Sequence, residues 1–285
     1  MTTSLQTPPR TWFITGASSG FGQAFASHAL ARGDNVVATA RNPARLQALV
    51  EAAPERVLAL TLDVDRDGDA EAAVDAAVAR FGRIDVLINN AGYAVVGALE
   101  ETSLAELRAI MQTNFFGAIA VTRAVLPVLR RQRSGAIVNI SSLGGQLSYA
   151  GFSAYSATKF ALEGASEALA LEMAPFGVKV LIVEPGAFRT ALQGAAMRDM
   201  PPIEAYADSV GPTRAFAHGM DGTQEGDPAK AAEAIEQALA AERTPLRLQL
   251  GADAVAAVRG HAETLLADLA RWEPVARATA FAATA

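Results

Sequence analysis

Tyr155 and Lys159 stand four residues apart, and Ser142 lies 13 residues before the tyrosine. Four residues is a little over one helical turn, so the phenol and the ammonium project from one face. An ammonium beside a phenol favours the phenolate and lowers a pKa that starts near about 10. A tyrosine tuned in this way can give a proton to a carbonyl oxygen, or take one from an alcohol, near neutral pH. Ser142 can donate a hydrogen bond to the same substrate oxygen and orient it. The pair alone discriminates little, because a Tyr-x-x-x-Lys also arises by chance on helix surfaces. Its weight comes from the sequence upstream.

Strands and helices must bring these groups together. Short apolar runs at 12–15, 35–39, 56–61, 84–88, 136–140, 179–183 and 246–250 read as strands. Helical periodicity marks 21–32, 67–81, 103–129, 154–174 and 252–272, and Asp227-Pro228 starts one more helix as N-cap and N1. Continuous Val/Ile/Leu strands are buried on both faces, which calls for a parallel sheet covered by helices. Strict β-α-β alternation makes this an α/β, doubly wound, Rossmann-type fold. Ser142 then leaves the carboxyl end of one strand, while Tyr155 and Lys159 open the next helix. We expect one domain over 11–273, flanked by flexible tails at 1–10 and 274–285. Residues 187–226 break the rhythm with Gly, Pro and Met, and a loop this long in a compact domain reads as a mobile substrate lid.

Composition removes other classes. A net charge of −6 and the lack of a Lys/Arg-rich run argue against nucleic acid. With no cysteine there is no disulfide and no thiol nucleophile, which suits a cytoplasmic protein. The first ten residues lack a signal-peptide apolar core, and no run of 18 uninterrupted apolar residues predicts a membrane span. His28, His218 and His261 are too scattered to predict a metal site.

Thr15-Gly16-Ala17-Ser18-Ser19-Gly20-Phe21-Gly22 follows the first strand and opens the first helix. Glycines there permit a tight turn and close backbone approach, and the helix N-terminus offers free N–H groups to a pyrophosphate. Gly16 to Gly20 also fits the Gly-x-Ser-x-Gly pattern of serine hydrolases, but the later motifs all suit a dinucleotide enzyme.

With Asp63-Val64, Asn89-Asn90-Ala91-Gly92, Asn114, Ser142, Tyr155-x-x-x-Lys159 and Pro185-Gly186…Thr190, the chain resembles the short-chain dehydrogenase/reductase family in its single-domain branch. The likeness covers about residues 11–250. The C-terminal helix is similar to the subgroup of 17β-hydroxysteroid-type and retinol-type enzymes. The resemblance implies a seven-stranded parallel sheet, a nicotinamide cofactor and hydride transfer between carbonyl and alcohol.

By the same resemblance, Asn114, Ser142, Tyr155 and Lys159 are catalytic. Asn114 would kink its helix around a water and extend a proton relay to Lys159, which also holds the nicotinamide ribose. Gly16, Ser18, Ser19, Gly20, Phe21 and Gly22 would hold the pyrophosphate side. Asp63 would bind the adenine with the Val64 backbone, and Asn90, Ala91 and Gly92 would line the ribose side. Pro185, Gly186, Phe188 and Thr190 would meet the carboxamide or pyrophosphate; many relatives carry Val or Ile where this chain has Phe188. After the second strand comes Ala40-Arg41, with no acid to accept from a ribose 2′-OH and a guanidinium suited to a 2′-phosphate. NADP(H) is therefore the expected cofactor, with NAD(H) possible. Ser142, Leu143, Leu147, Phe152, Tyr155, Phe188 and Leu192 are expected to contact a hydrophobic ketone, aldehyde or secondary alcohol. A homodimer or homotetramer is expected. Two competing readings are a non-catalytic NADP-binding regulator and a sugar-nucleotide epimerase or dehydratase. The first has no need of all four catalytic residues, and the second usually has a larger C-terminal domain.

Overall fold

The computed structural model describes residues 8–194 and 196–281. The chain runs β1 (Thr11–Ile14), α1 (Gly20–Ala31), β2 (Asn35–Ala40), α2 (Gln47–Ala52), β3 (Val57–Thr61), α3 (Asp69–Phe81), β4 (Val86–Asn89) and β5 (Ala94–Val96). It continues through α4 (Leu104–Met111), α5 (Ala118–Gln132), β6 (Gly135–Ile140), α6 (Ser153–Met173) and β7 (Val178–Pro185). The last elements are β8 (Met197–Asp199), α7 (Ala207–Gly219), α8 (Pro228–Ala240), β9 (Arg247–Leu250) and α9 (Ala252–Arg277).

The main sheet has seven strands in the order β3-β2-β1-β4-β6-β7-β9, and every neighbouring pair is parallel. The strand order reverses between β1 and β4, so a crevice opens beyond their carboxyl ends. The two faces of each strand feed different cores. Trp12, Ile14, Val36, Ala38, Ile88 and Val138 pack under α1 and α8 with Phe25, Ala29, Ile235 and Leu239. Phe13, Val37, Leu87 and Ile137 pack on the other side with Val74, Ala77, Val121, Val125 and Leu129 from α3 and α5. Fully burying a side chain of this kind contributes roughly 1.5–3 kcal/mol, so both layers press on the sheet that carries the site.

Four local features were not expected from the pattern. A one-turn helix at Pro43–Leu46, capped by the Asn42 side chain, leads into α2. A small second sheet pairs β5 with β8. The segment 187–226 contains α7, despite Gly211 and Pro212 inside it. The final helix runs on to Arg277, past the expected end of order at Glu273. Residues 1–7 and 282–285 of the expected tails lie outside the described residues.

The helical run Leu104–Gln132 has the length and composition to cross a membrane. Its apolar face is already used against the sheet through Val121, Val125 and Leu129, which marks it as a core helix of this domain.

Candidate active site

Between β1 and α1 the chain makes the turn that the glycines allow. Gly16 and Gly20 adopt φ of +65° and +52°, where a side chain would be strained. At Gly22 a Cβ would stand 2.3 Å from the Gly16 carbonyl oxygen, so α1 can start here only with glycine. The Ser19 N-cap makes no side-chain cap bond, which leaves the first N–H groups of α1 facing the crevice. Asn90 braces this loop through its amide, which donates to the Thr15 carbonyl at 2.9 Å and the Gly16 carbonyl at 3.2 Å. Thr15 Oγ1 in turn accepts from the backbone N–H groups of Asn90 and Ala91. The β1 and β4 ends thus form one rigid floor.

Beyond the strands lies a cleft of about 640 Å³. Gly16, Ser18, Ser19, Gly20, Phe21, Arg41, Asp63, Val64, Asn90, Ala91, Gly92, Pro185, Gly186, Phe188 and Thr190 all line it, together with Ser142, Tyr155, Lys159 and Leu192. A narrow cradle, free helix N–H groups and a long crevice past the carboxyl ends fit a dinucleotide. Sequence reasoning missed Arg45, Tyr93, Gln112, Thr113 and Arg198 on the same walls. Arg45 was detectable in principle, since Asn42-Pro43 is a cap followed by N1 proline and brings Arg45 a turn after Arg41.

At the inner end, Ser142 follows β6, and its Oγ accepts from the Gly144 N–H at 3.0 Å. The same hydroxyl faces the Tyr155 phenol and acts to lower its pKa. Ser141 turns the other way and donates to Glu163 Oε1 at 2.6 Å, so it is buried structure. Lys159 lies one turn along α6 from Tyr155, with Nζ 5.6 Å from the ring centroid and donating to the Ile140 carbonyl at 2.9 Å.

The electrostatics differ from the expectation for this trio. Burial pushes the Tyr155 phenol up to about 12, and the Ser142 hydrogen bond pulls only partly against it. Lys159 does not hold the phenol down. Burial lowers the lysine itself to about 8, with Glu163 opposing that shift, and its ammonium is committed to Ile140. At neutral pH Tyr155 is therefore protonated.

Asn114 sits in a π-helical turn, Gln112–Gly117, between α4 and α5. The wider turn accommodates the buried asparagine side chain pointing inward. Its amide donates to the Tyr93 carbonyl at 2.9 Å and to Thr158 Oγ1 at 3.2 Å, and its oxygen accepts from the Tyr93 N–H. Thr158 donates to the Tyr155 carbonyl at 2.7 Å. Asn114 thus ties β5 to α6 behind Tyr155; among the described residues it has no direct bond to Lys159.

Of the expected substrate contacts, Ser142, Tyr155, Phe188 and Leu192 line the cleft. Leu143, Leu147 and Phe152 do not line the cleft. Phe152 stands edge-on to Tyr155, 6.2 Å between centroids, and packs against the same apolar cluster as Leu192, Met197 and Met200. The Phe188 ring lies 5.1 Å from Phe21 and belongs to the core under α1 and α8. Gly226 is glycine because a Cβ there would approach that ring to 2.5 Å.

Known proteins share this architecture. The family described as short chain dehydrogenase matches residues 10–201. An oxidoreductase, BOA17, from Botryotinia fuckeliana is 42% identical over 273 residues, covering 94% of this chain and 98% of its own. A crystal structure of a short-chain dehydrogenase from Streptomyces avermitilis is 53% identical with a TM-score of 0.91, over 97% of this chain and 100% of that one. A short chain dehydrogenase/reductase from Burkholderia phymatum, solved in complex with NAD, is 26% identical with a TM-score of 0.78, over 88% of this chain and 92% of that one. Fold, site geometry and these likenesses agree: the chain belongs to the short-chain dehydrogenase/reductase family, oxidoreductases that use NAD or NADP to interconvert alcohols and carbonyl compounds.

Proposed function

We propose that the protein is an NADP(H)-dependent carbonyl reductase or alcohol dehydrogenase acting on hydrophobic ketones, aldehydes or secondary alcohols, with Tyr155 as general acid/base. The observation that carries this reading is the meeting of Ser142, Tyr155 and Lys159 on the wall of the glycine-cradled cleft. Gly16 to Gly22, Asn90 to Gly92, Pro185, Gly186 and Thr190 would hold the cofactor. When bound, the nicotinamide supplies or accepts the hydride at the carbonyl carbon.

Tyr155 gives its proton to the forming alkoxide, and Ser142 donates a hydrogen bond that stabilises the charge on that oxygen. Its raised pKa keeps Tyr155 loaded for reduction; alcohol oxidation needs a cation brought closer to the phenol than Lys159 now stands. Asn114 positions Tyr155 through Thr158.

Cofactor choice is supported by Arg41 and Arg45, which line the same end of the cleft near Ala40. Among the described residues neither arginine makes an ion pair within the chain, so both can meet a 2′-phosphate. The apolar substrate class is supported by Ala191, Leu192 and Ala196 on the wall. Met197 and Met200, which pack against the same apolar cluster as Leu192, can adapt its shape.

The test is an NADPH-oxidation screen over ketones, aldehydes, steroids, retinoids and acyl-thioesters, repeated with Tyr155→Phe. We expect turnover on bulky apolar carbonyls, a loss of about 10²–10⁴-fold in the variant, and unchanged NADPH binding by fluorescence titration. Wild-type kinetics in Tyr155→Phe would remove that residue from its role. NADPH binding with no turnover anywhere in the panel would favour the regulator.

A further inference from the structure

Helix α9 leaves the body of the protein. Only Ala254 is buried along it, and residues 262–277 are exposed throughout. At 26 residues it is about 39 Å long. Leu265, Leu266, Leu269, Trp272 and Val275 stand 56–64% exposed on the projecting part. Apolar side chains concentrated on one helix mark an interaction surface rather than a solvated face.

The spacing identifies the kind of surface. Val255, Val258, Ala262, Leu265, Leu269, Trp272 and Ala276 follow one another at alternate steps of three and four. That is the seam of a two-stranded coiled coil. Pro274 falls on the side away from this seam, so its ring does not enter the interface.

We propose that α9 pairs with α9 of a second copy of this chain as an antiparallel coiled coil. Charge and volume both select the antiparallel direction. In a parallel pair Asp268 would flank Glu273 of the partner subunit on both edges, and Trp272 would face its own copy. In the antiparallel register that sets Leu265 against the partner's Leu269, Trp272 meets the partner's Ala262, a large side chain against a small one. Val258 then meets the partner's Ala276. Arg259 flanks the partner's Glu273, which pairs with Arg277 in its own helix. Symmetry makes that attraction twice against a single approach of Asp268 to the partner's Asp268, whereas the parallel pair has two Asp268–Glu273 repulsions and no such attraction. Leu266 lies next to its own copy near the two-fold axis, which covers the apolar residue beside the seam. A lipid surface fits less well: α9 carries Arg259, Arg271 and Arg277 against Asp253, Glu263, Asp268 and Glu273, which gives no basic face.

Sedimentation of the full-length protein tests this. Leu265→Glu with Leu269→Glu is expected to halve the assembled mass at micromolar concentration, with the main thermal transition and turnover kept. Arg259→Glu alone and Glu273→Arg alone should each weaken association about tenfold, because two attractions become two repulsions. The double exchange should restore it, since the two positions are 14 residues apart and meet only across an antiparallel pair. Three results would overturn the proposal: a monomeric wild type, an assembly indifferent to the leucine changes, or charge variants that do not rescue each other. A monomeric chain that co-sediments with phosphatidylcholine/phosphatidylserine vesicles would assign α9 to lipid instead.

Discussion

Lys159 is a costly residue to place where it is. It is 7% exposed, and burial disfavours its charged form. Its pKa falls from 10.5 to about 8 on folding. Below about pH 8 the lysine is charged in both folded and unfolded chains, and the burial penalty is fully present. As pH rises from about 8 to 10.5 the folded state releases its proton first, so the penalty is relieved and stability rises. In Lys159→Met the titrating group is gone, while Tyr155 remains in both proteins. Wild type should therefore gain on the variant across that window, by an amount on the order of a few kcal/mol. Parallel urea titrations at pH 7 and pH 10 would show it. A pH-independent difference would mean that Lys159 is not held in a desolvated charged form. The same burial explains why spacing alone gave the wrong sign for Tyr155: the helix sets which groups are neighbours, but solvent exclusion sets their charge.

Among the elements, the segment 187–226 carries the clearest division of labour. Its far half is anchored. Glu101, almost fully buried, accepts from the Ile203 N–H at 2.7 Å and pairs with Arg214 at 2.6 Å. Those contacts, led by Ile203, hold its carboxyl below the usual carboxylate range. The near half is tied by the β5–β8 pairing, the Thr190 cap on a short turn at Ala191–Gln193, and Arg198, which pairs with Glu106 at 2.9 Å and lies over the Tyr93 ring. It also borders the cleft through Thr190, Ala191, Leu192, Ala196 and Arg198. We propose that this segment serves as a lid, and a lid anchored through α7 is expected to close over the cleft-lining residues Thr190, Ala191 and Leu192. Hydrogen exchange across 187–226 should slow when NADPH and a substrate analogue bind together, most of all at 190–200. Exchange unchanged by both ligands would leave this segment as a fixed cover.

At the scale of the whole molecule, the cleft draws on β1, β2, β3, β4, β6 and β7, so a bound dinucleotide links both halves of the sheet. A ligand that binds only the folded state stabilises it by about 2.7 kcal/mol at a hundred times its Kd. NADPH should therefore raise the melting temperature more than NADH at equal concentration. Ala40→Asp with Arg41→Ala should reverse that order, by adding an acceptor for the 2′-OH and removing a phosphate partner. Equal shifts in the unmutated protein would remove the argument from Arg41.

Much of this was legible in the chain. Seven apolar runs marked seven parallel strands, because burial on both faces leaves no polar alternation to misread. Gly16, Gly20 and Gly22 marked the cradle, because only glycine fits the turn there. Ser142, Tyr155 and Lys159 declared themselves by spacing, since each follows a strand end or opens a helix. Other features depended on tertiary structure. α7 was hidden by Gly211 and Pro212, and it buries only Val210 and Ala217, too narrow a face to show a period. β5 and β8 are three residues each and become strands only by meeting one another. Apolar type at Leu143, Leu147 and Phe152 says that a side chain will be covered, not by what, and only the fold put Phe152 edge-on to Tyr155. The state of Tyr155 was decided in the same way. Sequence spacing put a cation beside it, but packing removed the water and gave that cation to the Ile140 carbonyl.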